Sequence, residues 1–218
     1  MSNNNIPPTF DSIAAGWYNF RHHTIFKTEL ETLARRWEHG KLLNSGCGHG
    51  ADFFPFKRGF ELVGIDISSE MLKYADKYMR KHDFTAELKQ ADMRALPFLD
   101  VSFDFALAVA SLHHIEDRLG RLKAIQELYR VLRPGGEAFI TVWNAHQPRF
   151  LFKGRDIMVP WHNEKEIVNR FYHLFSYGEL ENLLKSSGFK IISSRAESRY
   201  QLPVKYLSRN ICLLIKKY

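Results

Sequence analysis

A glycine-rich turn that directly follows an apolar strand is the feature that most constrains the fold of this chain. Residues 41–45 are typical of a buried strand, and glycine then occupies every second position at Gly46, Gly48 and Gly50. Three missing Cβ atoms let the backbone turn sharply and let a ligand lie against bare peptide groups. The spacing G-x-G-x-G is one residue shorter than that of dinucleotide enzymes, and no Lys-Ser or Lys-Thr follows to hold a triphosphate. The loop indicates a nucleotide-type ligand other than NAD or ATP.

Two further strand-like segments are followed by a carboxylate. Asp66 comes directly after the short apolar run 61–65, and Asp92 follows the run that ends near residue 89. In a doubly wound sheet, an acidic residue after the second strand lies beside the first loop and can accept hydrogen bonds from a ribose diol. Asp92 is placed to meet an adenine amino group, with a strand-end turn residue as the alternative interpretation. A glycine turn alone also suits a purely structural role, but the two acids favour a nucleoside-containing ligand.

Strand-like and helix-like segments alternate along the chain, which indicates helices on both faces of a largely parallel sheet. The predicted strands are 41–45, 61–65, 84–89, 103–109, 136–142, 189–195 and 209–216. The predicted helices are 24–38, 50–57, 69–81, 118–131 and 177–186. With 218 residues, 45% of them apolar, the chain can bury one substantial core. We expect an α/β fold in a single domain, 1–218, with a doubly wound, mostly parallel seven-stranded Rossmann-like sheet.

Residues 40–142 resemble the class I S-adenosylmethionine-dependent methyltransferases. The resemblance implies S-adenosyl-L-methionine as the cofactor, with the glycine loop at its methionine part, Asp66 at the ribose and Asp92 at the adenine. The cofactor residues that it implies are Asn44, Gly46, Cys47, Gly48, Gly50, Asp66, Ile67, Asp92, Met93 and Ala110. Asn44 stands where the superfamily usually has an acid. Its amide oxygen can accept a hydrogen bond from the cofactor's ammonium, but without charge assistance.

The N-terminus and the cysteine content favour a reducing compartment. No run of 18 apolar residues occurs, and residues 1–5 lack the basic and apolar regions of a signal peptide. We therefore expect a soluble, cytoplasmic protein that does not enter a membrane. The two cysteines, Cys47 and Cys212, are too few for a disulfide framework or a zinc site. A metal is not expected at His113 and His114 either, because no acidic or cysteine partner lies at ligand spacing.

Basic side chains outnumber acidic ones. Lys and Arg total 31 against 24 Asp and Glu, which gives a net charge of +7 and a pI near 9.4. Many soluble enzymes are this basic, but the excess also favours an anionic partner such as RNA. Several basic groups have aromatic neighbours that are suited to stacking on bases. These groups lie at 21–23, 35–36, 77–82, 149–155 and 205–217.

The segment 143–177 does not fit the core pattern. It places about 35 residues where a connection of roughly 2–6 would serve, and long connections in compact enzymes commonly cover a substrate. The segment mixes aromatic and basic side chains, namely Trp143, His146, Arg149, Phe150, Phe152, Arg155, Trp161, His162, Arg170, Phe171, Tyr172, His173 and Phe175. The mixture favours a pocket for a flat, anionic ligand, and packing of the rings into the core is the alternative. We expect an aromatic and basic insertion after strand 5.

A narrower resemblance covers nearly the whole chain. Motifs in the same order are found in the tRNA wobble-uridine methyltransferases, a family whose domain is also fused to AlkB-type oxygenases in animals. The matching motifs are 10–14 with Arg21, 108–115, 118–121, 142–147, 156–161, 170–175 and 178–180. The element Arg-Phe-Tyr-His-x-Phe at 170–175 is the most specific. Phe20 stands where that family has threonine, and Arg209-Asn210-Ile211 stands where it has Gly-Asn-Trp.

This resemblance implies methyl transfer to the carboxylate of 5-carboxymethyluridine at position 34 of tRNA. An ionised carboxylate needs no general base, so the protein must hold the reacting groups within about 3–3.5 Å and exclude water. The catalytic candidates are Arg170, His173, Arg21 and His113. In a helix, Arg170 and His173 would share a face and clamp the carboxylate, with Tyr172 turned elsewhere. The N-terminal segment 1–23 and the insertion 143–177 are the expected covers of the site.

The same family works with a small zinc-finger activator protein that covers an apolar strand edge. Phe53, Phe54, Phe56 and the nearby Phe60 are candidate docking residues for such a heterodimer, with burial in the core as the alternative. Two other functions stay open. One is a small-molecule methyltransferase of the quinone-biosynthesis kind. The other is a non-catalytic S-adenosylmethionine-binding module whose basic face binds RNA or a protein, and Asn44 gives that interpretation some support.

Overall fold

The computed structural model describes residues 8–150, 152–163, 167–202 and 204–218. The strands within these ranges are β1 (Gly40–Ser45), β2 (Phe60–Asp66), β3 (Glu87–Gln90), β4 (Phe103–Val109), β5 (Leu132–Trp143), β6 (Asp156–His162), β7 (Ile167–His173), β8 (Phe189–Ala196) and β9 (Asn210–Lys217). The α-helices are α1 (Pro8–Phe20), α2 (Lys27–Trp37), α3 (Ser69–His82), α4 (Arg118–Val131) and α5 (Tyr177–Ser186). Short 3₁₀ turns lie at Ala51–Phe56, Leu112–His114, Pro148–Phe150 and Lys205–Leu207.

Seven strands form the central sheet in the order β3-β2-β1-β4-β5-β9-β8. The pairs from β3 to β5 are parallel, whereas β9 runs antiparallel between β5 and β8. The predicted doubly wound, mostly parallel seven-stranded sheet is confirmed. The strand order reverses between β1 and β4, and ligands of such sheets bind at the carboxyl ends of the strands at this point. The glycine loop begins there.

Helices cover both faces of the sheet, which is why its strands are nearly continuous apolar runs. On one face α4 and α5 pack through side chains such as Leu128 and Leu180. On the other face α2 and the turn Ala51–Phe56 pack through Trp37 and Phe56. All four side chains are at most 5% exposed. This two-layered core fixes the strand ends that carry the site.

A buried carboxylate anchors α2 to the middle of the sheet. Glu137 in β5 accepts hydrogen bonds from Arg36 at 2.9 and 2.7 Å and from the indole nitrogen of Trp37 at 2.8 Å. The two contacts from Arg36 form a bidentate pair, the stronger geometry for a guanidinium and a carboxylate. Burial acts to raise the pKa of Glu137, but the hydrogen bonds from Arg36 and Trp37, together with the charge of Arg36, hold this pKa below its ordinary value.

The insertion after β5 contains a hairpin rather than an irregular loop. Strands β6 and β7 form a separate two-stranded antiparallel sheet, in which Ile157 lies opposite Tyr172 and Val159 lies opposite Arg170. Side chains alternate between the two faces of a strand. Arg170 and Tyr172 therefore share one face of β7, and His173 points to the other. The expectation that Arg170 and His173 share a helical face is wrong, because this segment pairs with β6 and its β-branched and aromatic residues suit a strand.

Helix α1 bridges the start of α3 and the hairpin. The Asp11 carboxylate accepts hydrogen bonds from the Ser68 hydroxyl at 2.5 Å and from the Glu70 backbone N–H at 3.2 Å. At the hairpin, the Ser12 carbonyl accepts a hydrogen bond from the Asn163 side chain at 2.9 Å. The sequence predicts a cover segment at 1–23 but no helix within it, and residues 1–7 lie outside the described residues.

Other element boundaries differ modestly from the predictions. The predicted helix 50–57 is a 3₁₀ turn, the strand predicted at 84–89 begins at Glu87, and β5 begins at Leu132. Among the helices of the described residues, none combines the length and apolar character needed to cross a bilayer.

Candidate active site

The glycine loop turns back onto β2 immediately after β1. Its three glycines all have positive φ, between 52° and 83°. The Gly46 N–H donates to the Ile65 carbonyl at 2.9 Å, which ties the loop to the neighbouring strand. A Cβ atom on Gly46 would lie 2.5 Å from the Cβ of Ser111, so only glycine fits there. A Cβ atom on Gly48 would meet nothing within 4 Å, so Gly48 borders the space in which a ligand can lie.

Asn44 supplies an unpaired amide at the end of β1. The side chain is fully buried, and both its oxygen and its nitrogen lack a hydrogen-bond partner among the described residues. Buried polar groups are nearly always hydrogen-bonded, so an unsatisfied amide beside an open glycine loop indicates a ligand. Asn44 and the space at Gly48 fit the methionine end of the cofactor that the resemblance implies.

Asp66 lies against the glycine loop. Its carboxylate accepts hydrogen bonds from the backbone N–H of Gly48 at 2.8 Å and of Ser68 at 3.0 Å. Burial raises the pKa of Asp66, and these backbone bonds offset part of the effect. The carbonyl of the next residue, Ile67, accepts a hydrogen bond from the Gln90 side chain at 3.0 Å. The structure therefore places Asp66 and Ile67 at the end of β2 beside the loop, which agrees with the ribose role that the resemblance implies for Asp66.

Asp92 follows β3 and is held by Arg94. Its carboxylate accepts a bond from the Arg94 backbone at 2.8 Å and a bond from the guanidinium at 2.6 Å. Burial favours the neutral acid, but the bonds from Arg94 keep the pKa of Asp92 below its ordinary value. Met93 packs against the core beside it. An adenine amino group at Asp92 would share the carboxylate with Arg94.

The end of β4 carries a strained residue. Ala110 has a φ of 52°, in the left-handed region that non-glycine residues rarely adopt. Its N–H donates to the carbonyl of Thr141 at 3.0 Å, and the adjacent Ser111 hydroxyl donates to the Ser45 carbonyl at 2.9 Å. These contacts hold the ends of β1, β4 and β5 together. Backbone strain of this kind clusters at functional sites.

The cysteines have no reactive character. Cys47 in the glycine loop and Cys212 in β9 are both buried and free of disulfides. Burial raises the pKa of each thiol well above its ordinary value, so both stay neutral. No group of three or more His, Cys, Asp or Glu side chains is arranged to hold a metal within the part of the chain that the structure describes.

Three arginines gather around Tyr172 on β7, and a fourth lies beside two of them. Arg170, Arg21 and Arg149 lie close enough to act on the charge of the phenol, and Arg209 lies close enough to act on Arg21 and Arg149. Burial raises the pKa of Tyr172, and the three nearest arginines counteract part of the effect. Burial also lowers the pKa of Arg21 and of Arg149. Within the described ranges, no carboxylate lies within 4.0 Å of any of the four guanidinium groups. These four side chains are the arginine cluster, and they make the surroundings of Tyr172 cationic.

Arg170 is held by aromatic rings. Its guanidinium carbon lies 5.2 Å from the ring centroid of Trp161, 5.3 Å from that of Tyr172 and 5.6 Å from that of Trp17. The residue is only 6% exposed, and its Nε atom has no partner in the described structure. Cation–π contacts hold a guanidinium in place without neutralising it. The charge of Arg170 is thus available to an anion.

His173 lies on the other side of β7. Its Nδ1 is 2.6 Å from the Asp156 carboxylate and its Nε2 is 2.7 Å from the Glu179 carboxylate. Both ring nitrogens are therefore occupied, and the structure does not bring His173 together with Arg170. The sequence favoured a carboxylate clamp of Arg170 and His173 with Tyr172 directed elsewhere. In the structure, Tyr172 lies on the same face of β7 as Arg170.

His113 and His114 are packed beside the arginine cluster. The Nδ1 of His113 accepts the Trp143 backbone N–H at 3.1 Å, which leaves the proton of the neutral ring on Nε2. The Nδ1 of His114 lies 2.9 Å from the Phe171 carbonyl and donates to it. Burial lowers the pKa of His113 well below its ordinary value and the pKa of His114 to about 4. Both rings are neutral at pH 7.

Two members of the arginine cluster were not among the predicted site residues. Arg149 was predicted only as part of a basic and aromatic mixture, and Arg209 only as part of a basic stretch. The sequence feature that could have identified Arg149 as a site residue is its position in the inserted segment 143–177. No local signal pointed to Arg209, because it reaches the site through the pairing of Asn210 with Trp143 across β9 and β5.

The aromatic residues after the glycine loop are mostly internal. Phe53 and Phe56 are fully buried, Phe60 is partly buried, and Phe54 is 38% exposed. The alternative of burial in the core is therefore correct for Phe53 and Phe56. Only Phe54 offers substantial apolar surface in this group.

Comparison with known proteins identifies the family. Residues 43–140 match the family described as a methyltransferase domain. A solved S-adenosylmethionine-dependent methyltransferase of Methanosarcina mazei has a TM-score of 0.66 and 25% identity, over 83% of this chain and 93% of the other. A protein of Encephalitozoon cuniculi that carries only the general name of a methyltransferase is 32% identical, over 72% of this chain and 73% of its own length. The chain belongs to the S-adenosylmethionine-dependent methyltransferases.

Several relatives of this methyltransferase carry a more specific name. The tRNA (carboxymethyluridine(34)-5-O)-methyltransferases of Schizosaccharomyces pombe and Xenopus tropicalis are 29% and 26% identical to it. The matched regions cover 67% and 79% of this chain. The chain spans 72% of the length of the Schizosaccharomyces protein but only 36% of the length of the Xenopus protein.

Proposed function

We propose that this methyltransferase esterifies the carboxylate of 5-carboxymethyluridine at position 34 of tRNA. The arginine cluster around Tyr172 carries the proposal. Arg170 is buried, Arg21 is half-buried, and Arg149 and Arg209 are exposed beside them. Asp52 acts on Arg21, but no carboxylate forms an ion pair with any of the four within the described ranges, and guanidinium is well matched to carboxylate and phosphate. The net charge of +7 suits an RNA partner. The names of the Schizosaccharomyces and Xenopus relatives supply the specific acceptor.

The glycine loop and the ends of β2, β3 and β4 are the proposed cofactor site. When bound, S-adenosylmethionine supplies an electrophilic methyl group on a positively charged sulfur. The unpaired amide of Asn44 would meet the methionine end, the Asp66 carboxylate the ribose hydroxyls, and the Asp92 carboxylate the adenine amino group. The remaining proposed contacts are Gly46, Cys47, Gly48, Gly50, Ile67, Met93 and Ala110.

The acceptor needs orientation rather than activation. A uridine carboxylate is ionised at neutral pH, so the chain does not have to remove a proton from it. We assign Arg170 and Arg21 to the carboxylate, which leaves the rings around Arg170 to exclude water. The neutral His113 keeps a proton on Nε2 and can donate it in a hydrogen bond to the acceptor.

Mass spectrometry of tRNA nucleosides tests this function directly. Bulk tRNA that carries carboxymethyluridine is incubated with the protein and cofactor labelled in the methyl group, with small quinols in parallel. We expect label in the uridine ester, its release as methanol by mild alkali, and little transfer by Arg170→Ala. Label in quinols alone would favour the small-molecule enzyme, and binding of labelled cofactor without any transfer would favour the non-catalytic module.

A heterodimer with a small zinc-finger activator is part of the proposal. Strand β3 is an edge of the central sheet, and exposed strand edges bind partners through backbone groups. Phe54 lies beside Phe84, which precedes β3, with 6.5 Å between the ring centroids. Co-expression with a small zinc-binding protein should raise the yield and the activity of the chain. Full activity of the isolated chain as a monomer would argue against the heterodimer.

A further inference from the structure

We propose that a groove beside the arginine cluster binds the nucleotide that adjoins the methyl acceptor in the same RNA strand. The groove has a volume of about 500 Å³, within the range of small-ligand sites. Its apolar wall consists of residues 157–160 of β6 together with Phe150, and its charged rim consists of Arg149 and Lys153. The inference rests on the proposed function, since it extends the acceptor site by one nucleotide.

Arg149 links the groove to the arginine cluster. Its guanidinium carbon lies 4.3 Å from the ring centroid of Phe150 and 4.5 Å from that of Trp143. Trp143 in turn stacks on Tyr172, the centre of the arginine cluster. Arg149 therefore borders the groove and also belongs to the arginine cluster. A strand whose modified base lies at the arginine cluster would lay its neighbour along the groove.

The charges exceed what a single carboxylate requires. The acceptor carboxylate carries one negative charge and Asp52, which acts on Arg21, carries at most one more, whereas the cluster holds four arginines and Lys153 adds a further cation at the groove. No carboxylate lines the groove, and neither Arg149 nor Lys153 forms an ion pair within the described ranges. Backbone phosphates beside the acceptor would supply the missing negative charge, since phosphate contacts dominate affinity for nucleic acids.

The apolar wall of the groove can accept any of the four bases. Met158 is 58% exposed although it is apolar, and Pro160, two residues further along β6, extends the same exposed face. Bases stack on such surfaces through their flat faces, which all four bases possess. Methionine adapts its shape to different partners. We therefore assign the phosphate to Arg149 and Lys153 and the base to the wall around Met158.

Equilibrium binding of a trinucleotide with carboxymethyluridine at its centre tests the groove. The variants are Lys153→Ala, which removes a phosphate contact, and Met158→Glu, which places a negative charge on the wall. Lys190→Ala, on the distant strand β8, is the matched control. We expect fivefold weaker binding for Lys153→Ala, with a salt slope shallower by about 0.7. We expect at least tenfold weaker binding for Met158→Glu and no change for the control.

The outcomes separate this inference from the proposed function. If both groove variants bind the trinucleotide as tightly as the wild type does, while the wild type methylates tRNA, the groove assignment is overturned and the function stands. If the wild type transfers no label to carboxymethyluridine in any RNA, the proposed function itself fails. Thermal unfolding of each variant confirms that its fold is intact before affinities are compared.

Discussion

Trp143 and Tyr172 lie face to face, with 4.1 Å between their ring centroids and 19° between their planes. Trp143 ends a strand of the central sheet, and Tyr172 belongs to the inserted hairpin. The stack is therefore a joint between the two sheets, next to the arginine cluster. Stacked aromatic pairs contribute about 0.5–1.5 kcal/mol beyond the burial of their surfaces.

Trp143→Leu should loosen this joint. We expect the free energy of unfolding to fall by about 1–3 kcal/mol, because contact area and stacking are both lost. Methyl transfer should fall more than cofactor affinity, since Tyr172 and its arginines belong to the acceptor side. Urea unfolding and cofactor titration measure the two effects. Tyr218→Leu, at an exposed aromatic ring, is the control, and equal stability of the two variants would contradict the joint.

Arg170→Ala should depress single-turnover methyl transfer to tRNA by on the order of a hundredfold while cofactor affinity stays nearly unchanged. Arg170→Lys should recover little, because an ammonium group reproduces neither the two-pronged grip nor the stacking between rings. Rapid-quench transfer and cofactor titration of both variants provide the measurement. If Arg170→Ala transfers methyl groups at the wild-type rate, the carboxylate is bound by Arg21 or Arg149 instead of Arg170.

His173→Gln should act on stability rather than on chemistry. The imidazole joins Asp156 and Glu179 on the far side of β7, so its loss leaves two carboxylates without their shared partner. We expect the free energy of unfolding to fall by about 1–3 kcal/mol and the transfer rate to change less than threefold. The rate of methyl transfer at saturating substrate and the free energy of unfolding in urea show whether His173 stabilises the fold or takes part in methyl transfer. A hundredfold loss of transfer rate in a stably folded variant would show that His173 takes part in methyl transfer.

Asp66→Ala should weaken cofactor binding by about 1.5–3 kcal/mol, because charge-assisted hydrogen bonds to the ribose are lost. Gly48→Val should also weaken binding, since its side chain would fill the space beside the loop. Isothermal calorimetry measures both affinities. Asp76→Ala, at an exposed acid on α3, is the matched control, and unchanged affinity in both site variants would refute the assigned cofactor site.

Buried histidines should make the fold sensitive to acid. Burial lowers the pKa of His49 and of His114 to about 4, from 6.5. Between pH 6.5 and pH 4 the unfolded chain therefore binds protons that the folded chain excludes, and stability falls as the pH falls. Each histidine contributes about 1–2 kcal/mol of this loss by pH 5. Burial raises the pKa of Asp52 from 3.8 to about 6, which opposes the trend below pH 6.

Urea unfolding at pH 7, 6 and 5 measures this dependence. His114→Asn should flatten the loss of stability, because asparagine can still donate to the Phe171 carbonyl but does not titrate. Asp52→Asn should steepen the loss, because the opposing group is removed. A free energy of unfolding that stays constant from pH 7 to pH 5 in the wild type would contradict the role of the histidines.

The central sheet could be predicted from local patterns. Its strands are short apolar runs that end in glycine or an acid, as β1 does at Gly46 and β2 does at Asp66. Each apolar run and the residue that ends it lie within a few residues of each other along the chain. The proposed cofactor site is built from these strand ends. Its proposed position follows from the order of the strands and the rule that ligands bind at the reversal point.

The acceptor side depends on contacts between distant segments. The side chains of β6 alternate between exposed and partly buried, so its sequence lacks the apolar run of a core strand. The face on which Arg170 lies was set by the pairing with β6 rather than by spacing along the chain. Arg209 arrives through β9, which returns beside β5 after more than sixty residues. Such pairings cannot be derived from composition or from local periodicity.

Helix α1 contacts both halves of the site at once. Asp11 holds it to the start of α3 beside Asp66, and Trp17 holds it to the hairpin through Trp161. A helix moves as a nearly rigid rod, so a tilt that uncovers one half shifts the contacts at the other. A displacement of α1 would therefore require the contact of Asp11 with Ser68, the contact of Trp17 with Trp161, or both, to break.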